Sequence, residues 1–321
     1  MSVAIVDGNY LLHRCMRVGS VADLTTKTGK PTGGFFASLR FIHGAISDSN
    51  ASSVYVVFDS GISKRRRALL PQYKGSRYRD ESDPLYEPPD EEHALYLKKF
   101  RLQRAMLQYI LPRLAVRTVR LKEPHGWEAD DLIYSLTKLV PSKNVIVVSD
   151  DKDMLQLVSH TEDRCVQVSR PIAKQFVTQE NFEDWFEYPH DQELLRKAIL
   201  GDSSDNIPKV PGCGKKGVDA IFDEGAPVDS YPFGDFICWC MDHRLKKVRS
   251  IADNLDVVIR NYELMCFGFE DMSLAEAQLK DIISAPVDVD LIEVKSFLSK
   301  LELASIVNEL HTWAAAFQRL R

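Results

Sequence analysis

Residues 3–7 read VAIVD, an apolar run that stops on an acid. Residues 54–59, VYVVFD, repeat the pattern, and residues 144–151, NVIVVSDD, give it a third time. Continuous Val/Ile-rich runs of this length are typical of parallel strands covered on both faces, since half-exposed strands would alternate. In open parallel sheets, ligands gather beyond the carboxyl ends of the strands. The runs therefore aim Asp7, Asp59, Asp151 and Asp153 at one edge of a sheet. Like charges gathered there repel one another, and hard divalent cations with oxygen ligands are the natural counter-charge.

Working outward, the first half of the chain alternates strand and helix signals. Strands are expected at 2–6, 53–58, 115–121 and 144–149, and helices at 10–17, 35–46, 91–110 and 127–139, with a short helix from Lys152. The stretch TTKTGKPTGG is turn-rich, and residues 60–89 lack clear periodicity. This alternation predicts an α/β fold with a parallel-type central sheet flanked by helices. After about residue 178 the pattern becomes mostly helical, with segments at 182–186, 193–200, 218–222, 245–265 and 291–320. Two domains are expected, 1–178 and 179–321.

The chain has 321 residues, with 45% hydrophobic and 27% charged residues, as in ordinary globular proteins. No apolar stretch approaches a membrane span and no secretory signal is evident, so a cytoplasmic location without membrane partners is expected. The 6 cysteines form no CxxC pair and the 8 histidines no HExxH, which argues against a zinc ribbon or zincin site. The net charge of −5 does not exclude nucleic acid, because distribution outweighs the sum. Residues 61–79 carry Lys64, Arg65, Arg66, Arg67, Lys74, Arg77 and Arg79 without one acid. No Walker pattern occurs and no GxGxxG follows a strand, so nucleotide hydrolysis and dinucleotide chemistry lack support.

Three further segments carry chemistry. GWEADDLI (126–133) puts Glu128, Asp130 and Asp131 at a helix start, where negative charge is tolerated; ordinary capping acids read the same way. In SDDKDMLQL (149–157), Asp150 reads as an N-cap, with Asp151 and Asp153 as first-turn acids or ligands. GDSSDNIPKVPGCGKKGVDAIF (201–222) reads as a hairpin between two helices. It carries Asp202 and Asp205, then Gly212, Gly214, Lys215 and Lys216. Backbone N–H groups at such a turn, with lysine counter-charge, suit a phosphate better than a plain helix–helix turn would need.

These residues carry a resemblance. VDGNYLLHR, VVFD, QYKGSR, GWEADDLI, SDDKDMLQL, GDSSDNIPKVPGCGKKG and FLSKLELASIVNEL occur in the order found in the flap endonuclease/5′-nuclease superfamily. That family includes the 5′→3′ exonuclease domain of bacterial DNA polymerase I and stand-alone bacteriophage 5′-nucleases. The resemblance implies a PIN-like nuclease core with a helical arch at about 60–100, and a helix–three-turn–helix hairpin at about 193–224. It implies two Mg²⁺ or Mn²⁺ ions, one on Asp7, Asp59, Glu128, Asp130 and Asp131, the other on Asp151, Asp153, Asp202 and Asp205. Lys74 and Arg77 match the family's catalytic basic positions. Arg65, Arg66 and Arg67 are expected on the single-stranded backbone, and Phe35 and Phe36 near the base-stacking position, although both also suit a helix core. The hairpin, through Gly212, Gly214, Lys215 and Lys216, is expected to grip duplex DNA, in the family often with a bound K⁺. The implied activity is structure-specific 5′-nuclease cleavage of nicked or branched duplex DNA, and of RNA–DNA hybrids, by a free-standing monomer of the kind that bacteriophages encode. Two other readings stay open: a PIN-type single-strand ribonuclease, which needs neither Asp202, Asp205 nor the hairpin, and a non-catalytic DNA-binding protein of the same fold.

Overall fold

The structure is a computed structural model and describes residues 2–19, 21–75, 88–122, 126–229, 231–243 and 246–321. Its strands are β1 (Ser2–Asp7), β2 (Ala51–Val57), β3 (Arg117–Val119), β4 (Asn144–Val148), β5 (Ser159–His160), β6 (Cys165–Arg170) and β7 (Gln175–Val177). Helices of the first half are α1 (Gly8–Cys15), α2 (Gly33–Ser49), α3 (Lys64–Leu69), α4 (Glu91–Ile110) and α5 (Ala129–Leu139). There follow α6 (Phe182–Phe186), α7 (Glu193–Leu200), α8 (Lys215–Asp223), α9 (Gly234–Asp242), α10 (Lys246–Ala252) and α11 (Leu255–Met265). The chain ends with α12 (Ser273–Ser284), α13 (Leu291–Lys300), α14 (Ala304–Val307) and α15 (Leu310–Ala314).

The sheet runs β3-β2-β1-β4-β6-β5, with β7 on β6. β3, β2, β1, β4 and β6 are parallel, whereas β5 and β7 run antiparallel to β6. The expected mostly parallel α/β sheet is therefore present. Strands added after β1 go outward on both sides, so chain direction switches between β1 and β4. Loops leaving those neighbours diverge and open a crevice at the sheet's carboxyl edge. Register brings Asp7 opposite Val57 and Val6 opposite Val148, so Asp59 and Ser149 lie just beyond Asp7 on either side.

The antiparallel tail of the sheet is absent from the sequence expectations. Cys165–Arg170 alternates half-buried and buried positions, and its Gln and Ser interrupt the apolar run that marks β1, β2 and β4. The expected helix at 245–265 is two helices, because Asn254 breaks it and donates its amide to the Ser250 carbonyl at 2.8 Å. The expected helix at 291–320 is likewise broken into α13, α14, α15 and a terminal 3-10 turn.

The chain forms two compact units, and the division differs from one cut at residue 178. The first comprises residues 1–61, 89–179 and 271–321; the second comprises 62–88 and 180–270. The chain returns to the first unit because α13, α14 and the terminal 3-10 turn bury Val294, Leu298, Ile306 and Phe317 in the core formed by Val6, Leu39, Val56 and Leu107. In the second unit, α7, α8 and α11 enclose Ile199, Val210, Val218, Ile221 and Val258. The arch expectation covers residues 76–87, which lie outside the described residues; α3 belongs to the second unit and α4 to the first.

Candidate active site

The acidic edge of the first unit starts at Asp7. This residue ends β1 and caps α1, its Oδ1 accepting the Tyr10 N–H at 2.9 Å. Only 6% exposed, it has Asp59 and Asp151 for electrostatic neighbours. Burial first, and then the Asp59 charge, push its pKa up to about 7; Asp151 adds to this, while bonds from the Tyr10 N–H and the Ser149 hydroxyl offset part. Asp59 is fixed from three sides. Its Oδ1 accepts the Ala129 N–H at 2.7 Å, its Oδ2 accepts the Asn9 amide, and its carbonyl accepts Arg120 Nε at 3.1 Å. The Ala129 bond ties the loop after β2 to the start of α5, where Glu128 and Asp131 are 3% and 2% exposed and Asp130 is half-buried. Close backbone approach permits this join, since a Cβ on Gly126 would lie 2.5 Å from the Gly61 Cα.

Beyond β4, the roles of the paired aspartates differ from expectation. Asp151, not Asp150, caps the following 3-10 turn, accepting the Asp153 N–H at 2.9 Å. Asp150 instead accepts the Tyr10 hydroxyl together with the Ile172 and Ala173 N–H groups, each at 2.9 Å. Among the described residues, no three acidic, histidine or cysteine side chains meet as a ready-made cation cage. The donor set nonetheless suits a hard cation. It is all carboxylate oxygen, and Asp7 is driven towards protonation by burial and by its acidic neighbours, a penalty that a bound positive charge would reduce.

Asp202 and Asp205 belong to the second unit, as does Lys74. Asp202 follows Gly201, whose φ of +67° and contact with the Ile207 carbonyl, 2.5 Å from a built Cβ, require glycine. Asp202 and Ile207 exchange backbone bonds of 2.9 and 2.7 Å, closing a tight loop. Burial alone would raise Asp202, but bonds from the Ser204 hydroxyl and N–H, with Lys197 nearby, hold it below the usual carboxylate range. Asp205 is buried and ion-paired to Lys74, Nζ to Oδ2 at 3.7 Å, and its carbonyl accepts the Lys74 N–H at 3.0 Å. The expected catalytic lysine and one expected ligand thus meet. Arg77 lies outside the described residues.

The hairpin joins α7 to α8. Gly212 adopts φ +73°, and Gly214 precedes α8 with no side-chain cap. Lys215 and Lys216 are exposed in its first turn, whereas Gly217 and Val218 are buried. Arg196 of α7 fixes the pair of helices through a 2.6 Å bond to Asp219 of α8.

Four expected nucleic-acid contacts need correction. Phe35 is fully buried, edge-on to Phe297, and Phe36 lies in the same core, so neither offers a face to a base. Arg66 is 2% exposed, and its Nε donates to the Leu264 carbonyl at 2.8 Å. Arg65 donates to the Glu263 carbonyl at 2.6 Å and pairs with Glu270 at 3.5 Å. Both guanidiniums satisfy the last carbonyls of α11, where positive charge is favoured. Arg67 remains part-exposed. Sequence reading gave no role to Asn9, Tyr10 or Ser149, because their partners lie in distant loops.

The sequence profile described as 5′-3′ exonuclease, N-terminal resolvase-like domain, matches residues 2–187. A 5′-3′ exonuclease of Buchnera aphidicola subsp. Acyrthosiphon pisum is 24% identical over 314 residues, covering 93% of each chain. One from Aquifex aeolicus is 27% identical over 309 residues, covering 95% of this chain and 94% of its own. Among solved structures, the bacteriophage T5 flap endonuclease in a pseudo-enzyme–product complex with DNA and metal ions superimposes with a TM-score of 0.63. It is 22% identical, covering 95% of this chain and 100% of its own. With a profile matching more than half its length, the chain belongs to the 5′-3′ exonuclease family.

Proposed function

We propose that the protein is a structure-specific 5′-nuclease, a phosphodiesterase dependent on two Mg²⁺ or Mn²⁺ ions. Its substrates are nicked or branched duplexes with a single-stranded 5′ end, DNA foremost and RNA–DNA hybrids included. Cleavage leaves a 5′-phosphate and a 3′-hydroxyl. The single observation that carries this reading is Asp7, buried at a strand end, crowded by Asp59 and Asp151 and raised to a pKa of about 7. A stable protein tolerates such crowding at a working edge when a ligand offsets it.

Asp7, Asp59, Glu128, Asp130 and Asp131 would hold one ion; Asp151, Asp153, Asp202 and Asp205 would hold the other. The chemistry that a bound ion pair supplies is water activation and neutralisation of the leaving oxygen. Lys74, buried and ion-paired with Asp205, would turn its ammonium on the scissile phosphate. Arg77 would share that task. Lys215 and Lys216, at an uncapped helix start, would hold a duplex phosphate, with Gly212 and Gly214 letting the backbone approach and a K⁺ bridging the hairpin. Two family relatives of similar length, each described as a 5′-3′ exonuclease, support the reading.

End-labelled flap, nicked and single-stranded substrates, incubated with and without Mg²⁺, test it. The expected result is Mg²⁺-dependent release of 5′ fragments from the flap and nicked substrates. Cleavage confined to single-stranded RNA, or none on any substrate, would overturn it.

A further inference from the structure

Two acid-bearing loops leave the sheet edge, after β2 and β4, on either side of Asp7, which ends β1 and runs directly into α1; the start of α1 bonds to Asp7 and to both loops. Asp7 accepts the Tyr10 N–H at 2.9 Å. Asn9 donates its side-chain amide to Asp59 Oδ2, on one side of β1. Tyr10 donates its hydroxyl to Asp150 Oδ2, on the other side. Asp150 is itself anchored, since it accepts the Ile172 and Ala173 N–H groups, and its carbonyl accepts Arg170 Nη2 at 3.2 Å. Its carboxylate is thus occupied by fixed donors, and it immediately precedes Asp151.

We propose that Asn9 and Tyr10 are positioning residues: they set the spacing between the acid loops flanking Asp7 before any cation arrives. This rests on the reading that those acids hold divalent ions. Repelling carboxylates left to themselves would swing apart, and a cation would have to gather them at the cost of ordering each loop. The amide and phenol hold the outer loops to a helix whose first turn begins at Asp7. Partners that orient metal ligands in this way typically change metal affinity by about 10–100-fold.

Binding of Mn²⁺ to the full chain, followed by the loss of the free-ion paramagnetic resonance signal, tests the proposal in wild type, Tyr10→Phe and Asn9→Ala. Each variant is expected to need about tenfold more Mn²⁺ for half-saturation. KM for nicked duplex at saturating metal should stay within twofold, which general loosening of the fold would not give. Asp150→Asn, which keeps one acceptor oxygen for the Ile172 and Ala173 amides, is a second variant should Tyr10→Phe fold poorly. Combined with Tyr10→Phe, it should add nothing, because both act through one bond. Wild-type affinity in Tyr10→Phe and Asn9→Ala, or additive losses in the double variant, would overturn the proposal alone. A wild-type chain that binds no Mn²⁺ would instead overturn the metal reading, and this inference with it.

Discussion

The acidic edge of the sheet and the lysine pair of the glycine hairpin each set like charges side by side, but they expose them very differently. Asp7, Glu128 and Asp131 are buried, whereas Lys215 and Lys216 stand in water. Buried like charges are expensive in a poorly polarisable interior, and removing water strengthens whatever they act upon. Exposed lysines cost little, and what they attract is screened by salt. They stand, however, at a helix N-terminus with no side-chain cap, the end where the helix dipole already favours anions. The contrast separates chemistry from grip: changes at the edge should alter rate and stability, and changes at the hairpin should alter affinity and its salt dependence.

The largest expected break in that pattern is Asp131→Asn, a nearly isosteric change at a 2% exposed site. Turnover should fall by about a thousandfold, the loss of several kcal/mol of transition-state stabilisation, while duplex binding stays within a few-fold. Single-turnover cleavage and fluorescence anisotropy on one nicked duplex read both quantities. Full turnover in the mutant would remove Asp131 from the site.

Asp7→Asn should raise stability even as it removes activity. Burial first, and then the acidic neighbours, raise this acid to about 7, so its charge destabilises the folded state. Below about pH 4, folded and unfolded chains both keep the proton and nothing is lost. As pH rises the unfolded chain releases it first, so the penalty grows until about pH 7 and is complete above it. The metal-free mutant should therefore gain on the order of 4 kcal/mol at pH 8 and almost nothing at pH 4, while losing cleavage. Asparagine also serves as an N-cap, so α1 keeps its start. Denaturant titrations at the two pH values decide it, and a gain that does not depend on pH would show that Asp7 is not raised.

How much of this was legible beforehand depends on where each signal lives. β1, β2 and β4 announce themselves, because a strand buried on both faces must be apolar throughout. α4 does so too, since Asp90 caps it by accepting the His93 N–H at 2.7 Å. β6 and β7 do not, because an antiparallel hairpin at a sheet margin mixes polar residues into short strands. The acids were legible as acids at strand and helix ends. Their supports, Asn9 and Tyr10, were not, since a hydrogen bond spanning 50 or 140 residues leaves no mark on local sequence. Residues 64–67, KRRR, misled in a different way. A basic run reads as solvated surface, but Arg66 faces inward because the end of α11 offers carbonyls that need donors.

That last point separates two kinds of positive charge. Arg66→Ala should destabilise the protein by about 3 kcal/mol, since it removes a buried guanidinium and leaves the Leu264 carbonyl without its donor. The salt dependence of duplex binding should stay unchanged in this variant. A flatter salt dependence with unchanged stability would restore Arg66 to the nucleic-acid surface.

Lys215→Ala with Lys216→Ala should do the reverse, and more gently. Neither side chain is buried, so the denaturation midpoint should move little. Each phosphate contact contributes a slope of about 0.9 in log affinity against log salt, so losing both should flatten that slope by nearly two. Affinity should fall by about tenfold at 0.1 M salt, equally for duplexes of unrelated sequence, because phosphate contacts carry no base information. Turnover at saturating substrate should be preserved, for these lysines stand in the exposed first turn of α8 and are not among the residues assigned to the chemistry. If the slope were unchanged while affinity fell, the lysines would be acting through the fold of α8, and the separation of grip from chemistry would have to be sought at another basic surface.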